Sequence, residues 1–132
     1  MHRILGRHAD RIYAIFRIVI GFLFMCHGLQ KIFGALGGQK VGEVASLIGL
    51  AGIIELVCGF LVMVGLFASW AAFLASGTMA VAYFMAHFPR GFWPILNEGE
   101  LAVAYCFTFL YIAARGAGPW SVARAARNPG LE

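Results

Sequence analysis

Charge is scarce in this sequence. Six Asp and Glu and ten Lys and Arg together make up only 12% of 132 residues, about half the share of a soluble domain. The hydrophobic fraction of 61% exceeds the roughly 45 to 50% of soluble chains, and a domain this small has too much surface for its volume to hide the excess. A water-soluble fold is therefore excluded, and lipid is the natural solvent. Grouped cysteines are also missing. Cys26, Cys58 and Cys106 are single residues in apolar runs, and there is no CxxC, CxxCH or GxGxxG to announce a redox pair, a covalent haem or a dinucleotide. Buried small hydrophobes describe these cysteines better than disulfide exchange does. The N-terminus has no short apolar core ending in a small-residue cleavage site, so no cleaved signal peptide is expected. Internal repeats and low-complexity segments are absent too.

What is present is a set of long apolar runs. Crossing a hydrocarbon core takes about 20 apolar residues in a helix, and four stretches approach that length: 12–33, 44–67, 70–88 and 100–115, the last the shortest. The expected fold is all-α: a single domain over 1–132, forming an integral membrane antiparallel four-helix bundle. "GALGGQKVGE" links the first two spans, "FASW" is a tight turn between the second and third, and "FPRGFWPILNEGE" joins the third and fourth, its prolines and glycines barring a continuous helix. The net charge of +4 does not point to nucleic acid, because Arg3, Arg7 and Arg11 precede the first run while Arg115, Arg124 and Arg127 follow the last. Basic flanks of this kind place both termini in the cytoplasm of a bacterial inner membrane.

Polar residues inside the runs are the candidate site. Arg17, His27 and Lys31 lie within about 80° of one another around the first helix, with Gly21 and Gly28 on the same arc, which marks a face that meets protein. In the second run Glu55 sits near mid-membrane between Gly52 and Gly59. A lone carboxylate there has to be protonated or paired, and Arg17, taken before Lys31, is the expected partner in a buried ion pair. In the third run Ser76, Ala80, Tyr83 and His87 share a face. His27, Lys31, Tyr83, His87 and Glu100 then form an outer cluster suited to a quinone head group or a small anion with its proton. Blander readings stand beside these. The ion pair can serve only to set helix register, Lys31 can snorkel to the headgroups, and His27 and His87 suit hydrogen bonding or proton relay better than metal ligation, so no metal is expected.

Taken together, "RIVIGFLFMCHGLQKIFG", "IIELVCGFLVMVGLF", "MAVAYFMAHFPRGF", "NEGELA" and "GAGPWSVAR" resemble the DoxX family of small four-helix membrane proteins, over about Arg17 to Ser121. The resemblance implies Arg17, His27, Gly28, Lys31, Glu55, His87 and Glu100 as the family's residues. It departs at Cys58, where a second glycine is common, and at Ala123, where an acid is frequent. The family is named for a subunit of a membrane thiosulfate:quinone oxidoreductase. By that resemblance the chain is expected to be a subunit of a membrane redox system that handles a quinone or a small sulfur or oxyanion substrate, with electrons carried by a partner subunit. The rival expectations are a non-catalytic anchor or assembly subunit, and a small transporter, which with so few spans would work as a homo-oligomer.

Overall fold

A computed structural model describes residues 3–42 and 46–132. The expected start of the second span, Val44, lies outside them. Among the described residues there is no strand. A 3₁₀ turn, Gly6–His8, leads into α1 (Ala9–Phe33), followed by α2 (Leu47–Val64), α3 (Ala68–Ala82), the short α4 (Pro94–Asn97), α5 (Glu100–Arg115) and the short α6 (Val122–Ala125). Beyond Ala82 the third helix continues as a π-helical turn, Tyr83–His87, and a 3₁₀ turn, Phe88–Arg90.

Glycine punctuates the first two helices. α1 ends at Gly34 in the left-handed conformation, with Gly34 N–H donating to Gln30 O and Ala35 N–H to Leu29 O; α2 ends at Gly65 in the same way. A left-handed residue closes the last orphan carbonyls of a helix, and glycine does this without a Cβ clash. α2 starts at Ser46, whose hydroxyl accepts from Gly49 N–H. The turn to α3 is tighter than expected from "FASW": α3 already begins at Ala68, so Ser69 and Trp70 lie in its first turn.

The surface is the reverse of a soluble protein's. Ile15, Val19, Phe22, Ile53, Val57, Phe60, Phe73 and Leu74 are exposed, whereas Arg17 and Glu55 are buried with alanines and glycines between the helices. Apolar residues cover the outside, and the inside mixes small and polar residues with Phe24, Phe109 and Ile112, an arrangement that a lipid environment permits. By length and composition three helices can cross a membrane, those within Gly6–Phe33, Leu47–Val64 and Ala68–Arg90. α5 is shorter, at 16 residues.

Packing follows from small residues. A Cβ on Gly21 would lie 2.8 Å from Gly59 O, and one on Gly28 2.7 Å from Gly52 O, so backbone meets backbone at two levels of the α1–α2 seam. Both helices carry these glycines seven residues apart, and the larger number on α1 faces the smaller on α2, so the two run antiparallel. α5 packs on both α3 and α1. Ser76 Oγ donates to Cys106 O and Ser69 Oγ to Ala113 O, while Phe24 packs on Tyr105 and Phe109. The segment after α5 folds back over the end of the molecule that holds the first residues of α1. Tyr13 donates to Gly116 O, Ala123 N–H to Gly65 O and Phe67 N–H to Leu131 O.

Candidate functional site

The expected ion pair between Arg17 and Glu55 is not formed. Glu55 Oε1 is 2.6 Å from Lys31 Nζ, and Arg17 is held by backbone alone. Its Nη1 donates to Val62 O and Met63 O at 2.7 and 2.8 Å, and its Nη2 to Pro119 O and Trp120 O at 3.2 and 2.7 Å. The cause is the glycine register. Facing Gly21 with Gly59 sets Arg17 beside Met63, which is eight residues, or about 12 Å, along α2 from Glu55. Side chains on a helix also tilt toward its N-terminus. In an antiparallel pair Arg17 and Glu55 therefore point apart, while Lys31 and Glu55 point toward each other. For the same reason Lys31 reaches down to a carboxylate instead of snorkelling outward.

Arg17 sits at the C-terminal turn of α2, where unpaired carbonyls and the helix dipole favour a cation. It joins that turn to the Pro119–Trp120 backbone and has no exposed surface. Among the described residues, its Nε–H is buried without a partner while the other four N–H donors are engaged.

Around Glu55 the polar groups are less complete. Glu55 is 3% exposed and Lys31 33%; Glu55 Oε2 is buried with no hydrogen-bond partner among the described residues. Tyr105 of α5 and the half-buried His27 ring lie in edge-to-face contact, their centroids 6.0 Å apart. No hydrogen bond ties down the His27 ring nitrogens among the described residues. The Lys31–Glu55 pair, with His27 one turn before Lys31 on α1 and Tyr105 of α5 against His27, thus marks a junction of α1, α2 and α5 where, among the described residues, one hydrogen-bonding position is left open on a buried carboxylate.

Tyr83 and His87, expected to belong to the same cluster, are organised elsewhere. Tyr83 donates to Phe92 O, and His87 Nδ1 is 3.1 Å from Asn97 O. The hub of this second group is Asn97, which is 1% exposed: its Nδ2 donates to Gly91 O and to Tyr83 Oη, and its Oδ1 accepts from Gly99 N–H. These bonds close the α3–α5 connection on itself. Glu100 is exposed at the start of α5, beside Pro94, Ile95 and Val103 in a shallow groove. Among the described residues no hydrogen bond, ion pair or ring contact joins Tyr83, His87 or Glu100 to His27 or Lys31. Of the expected single cluster, His27 and Lys31 therefore lie in one place, Tyr83 and His87 in another, and Glu100 in neither.

Sequence reasoning passed over Tyr105 and Asn97. Tyr105 carried a usable signal, being a hydroxyl-bearing aromatic inside an apolar run. Asn97 had the look of a loop breaker, because a side chain that binds only backbone leaves no partner residue to search for. The three cysteines are free, and no group of three His, Cys, Asp or Glu side chains among the described residues could hold a metal ion.

The DoxX family model matches residues 12–88. This chain belongs to the DoxX family. The match runs from the first turn of α1 through α3 and the π-helical turn, and so includes Arg17, His27, Lys31, Glu55, Tyr83 and His87. A Haemophilus influenzae protein described only as uncharacterized is 40% identical, over 86% of this chain and 90% of its own length. No solved structure matches. The chain is a membrane protein with apolar transmembrane helices.

Proposed function

We propose that this DoxX protein is a four-span subunit of a membrane redox system and that the Lys31–Glu55 junction is where a small ligand exchanges a proton. In this reading α5 completes an antiparallel bundle in the bacterial inner membrane, with both termini in the cytoplasm, its short length offset by Glu100 and Arg115 at its two ends. The observation that carries the proposal is the buried, unpartnered Oε2 of Glu55 behind a partly exposed Lys31. A buried carboxylate with an empty acceptor position is costly, and a proton arriving at Oε2 relieves that cost. Lys31 Nζ and the His27 ring, both reachable from outside, suit the carbonyl of a quinone head group or the oxygen of a small sulfur oxyanion.

Family membership supports a redox setting, and electrons would come from a partner subunit, since no redox-cofactor motif stands in the chain. The test is binding of a short-chain benzoquinone, and separately of thiosulfate, to the purified protein with proton uptake recorded. One of the two should bind with uptake of a proton, and Glu55→Gln should abolish the uptake while His27→Ala weakens binding about tenfold, the loss of roughly one good hydrogen bond. Binding that is absent, or unchanged in both variants, would return the junction to a structural role and favour the anchor reading.

A further inference from the structure

A groove of about 510 Å³ opens at the end of the bundle that holds the first residues of α1, away from the Lys31–Glu55 junction and independent of how that junction is read. Arg3, Ile12, Tyr13, Phe16, Tyr111 and Arg115 line it. It runs from Arg3, ahead of the helix, to Phe16, seven residues into α1, a depth of about 10 Å along the helix. One end is therefore cationic and the other lies among the apolar residues of a membrane span.

The cationic end is built before any ligand arrives. The Arg115 guanidinium lies 4.5 Å from the centre of the Tyr13 ring, donates to Tyr111 Oη at 3.1 Å, and is 2.7 Å from Asp10 Oδ1. Stacking on an aromatic face holds its plane. Asp10 is 78% exposed, so its hold on Arg115 is weak, and Asp10 and Glu132, whose side chain lies beside Gly116, are outnumbered by Arg3, Arg7, Arg11 and Arg115. The apolar end is a floor of aromatic rings, with Tyr13 and Phe16 at 5.9 and 6.4 Å from Tyr111 in edge-to-face contact. Ile4 and Leu5, beside Arg3, are exposed at 97% and 57%. Apolar side chains alternating with arginines just outside a span belong at the boundary between headgroups and acyl chains.

We infer that this groove binds one anionic phospholipid, its phosphate between Arg3 and Arg115 and the start of an acyl chain along Ile12 and Phe16. Guanidinium forks match phosphate oxygens in geometry and charge. Free phosphate would leave the aromatic floor unused, and a zwitterionic lipid would set its own cation against the two arginines. Basic pockets at span ends recognise anionic headgroups by these forces.

The experiment is native mass spectrometry of the full chain released from mild detergent, titrated with phosphatidylglycerol, with phosphatidylcholine of the same acyl chains, and with inorganic phosphate. One phosphatidylglycerol should bind at least about tenfold more tightly than phosphatidylcholine, millimolar phosphate should not displace it, and Arg3→Gln with Arg115→Gln should erase the preference. Arg3→Gln alone, at an exposed position before the helix, tests the site without risk to folding and should reduce the preference severalfold. Arg7→Gln with Arg11→Gln removes the same charge outside the groove and should leave it intact. Equal binding of both lipids, displacement by phosphate, no loss in the Arg3 variant, or an equal loss in the Arg7 and Arg11 control would each overturn the site.

Discussion

Arg17 and Glu55 lie about 12 Å apart along one helix seam, both out of contact with solvent, yet the protein satisfies them in opposite ways. Four of the five Arg17 donors engage backbone carbonyls from two segments distant in sequence. Glu55 has one side-chain partner and one empty oxygen. The first arrangement is nearly saturated and rigid, since carbonyls at a helix end cannot titrate and cannot leave. The second holds an acceptor in reserve, and its partner Lys31 reaches solvent. A buried charge surrounded by backbone is architecture, whereas a buried charge with a movable partner and an open position is a place where protons or ligands can come and go.

Removing Arg17 should give the largest effect. Arg17→Met removes the side-chain donors from the carbonyls of Val62, Met63, Pro119 and Trp120; Val62 O keeps Gly65 N–H, and each buried acceptor left unsatisfied costs about 1 to 3 kcal/mol. The expected outcome is a large fall in thermal stability in detergent together with release of the C-terminal segment, seen as faster tryptic cleavage at Arg124 and Arg127. If stability falls while the segment stays protected, the clasp is not what Arg17 provides.

A smaller and asymmetric effect is expected at the other charge. Lys31→Met strands a carboxylate that is buried, at a cost on the order of 2 to 3 kcal/mol. Glu55→Gln strands an ammonium that is already a third exposed and can turn toward water, at about 1 kcal/mol. The double variant should be closer to wild type than Lys31→Met alone, a coupling of about 1 kcal/mol or more, read from unfolding midpoints in one detergent. Equal costs for the two single variants would mean that the contrast with Arg17 is weaker than the geometry implies.

Much of this was open to sequence reading, and the failures have physical reasons. The apolar runs, their polar faces and Glu55 as a buried acid were visible because burial in lipid leaves periodic traces. The wrong partner came from weighing depth in the membrane without register. Gly21 and Gly28 repeat the seven-residue interval of Gly52 and Gly59, and matching those intervals in antiparallel sense would have set Arg17 beside Met63. The carbonyls of Pro119 and Trp120 could not have been found, because every residue has a carbonyl and only the fold of the chain chooses among them. The outer cluster divided for a similar reason: Asn97 gathers Tyr83 and His87 into the α3–α5 connection through bonds to backbone that no residue pattern announces.

The smallest expected effect is also the sharpest test of the comparison, because it is predicted to be nearly zero. If Arg17 and Glu55 were partners across the seam, Arg17→Met and Glu55→Gln together would cost less than their sum, each removal excusing the other. In the observed register their side chains point away from each other, they share no hydrogen-bond partner, and sites more than about 10 Å apart without shared contacts usually add to within about 0.5 kcal/mol. The two losses should therefore sum, with the Lys31 and Glu55 cycle run alongside as the positive control. Membrane proteins make this less automatic than in water, because charge interactions reach further where the dielectric is low. A coupling above about 1 kcal/mol between Arg17 and Glu55 would show that the field of one charge helps hold the other in its ionised form, and the seam would then have to be treated as a single electrostatic unit instead of an inert clasp beside a titratable site.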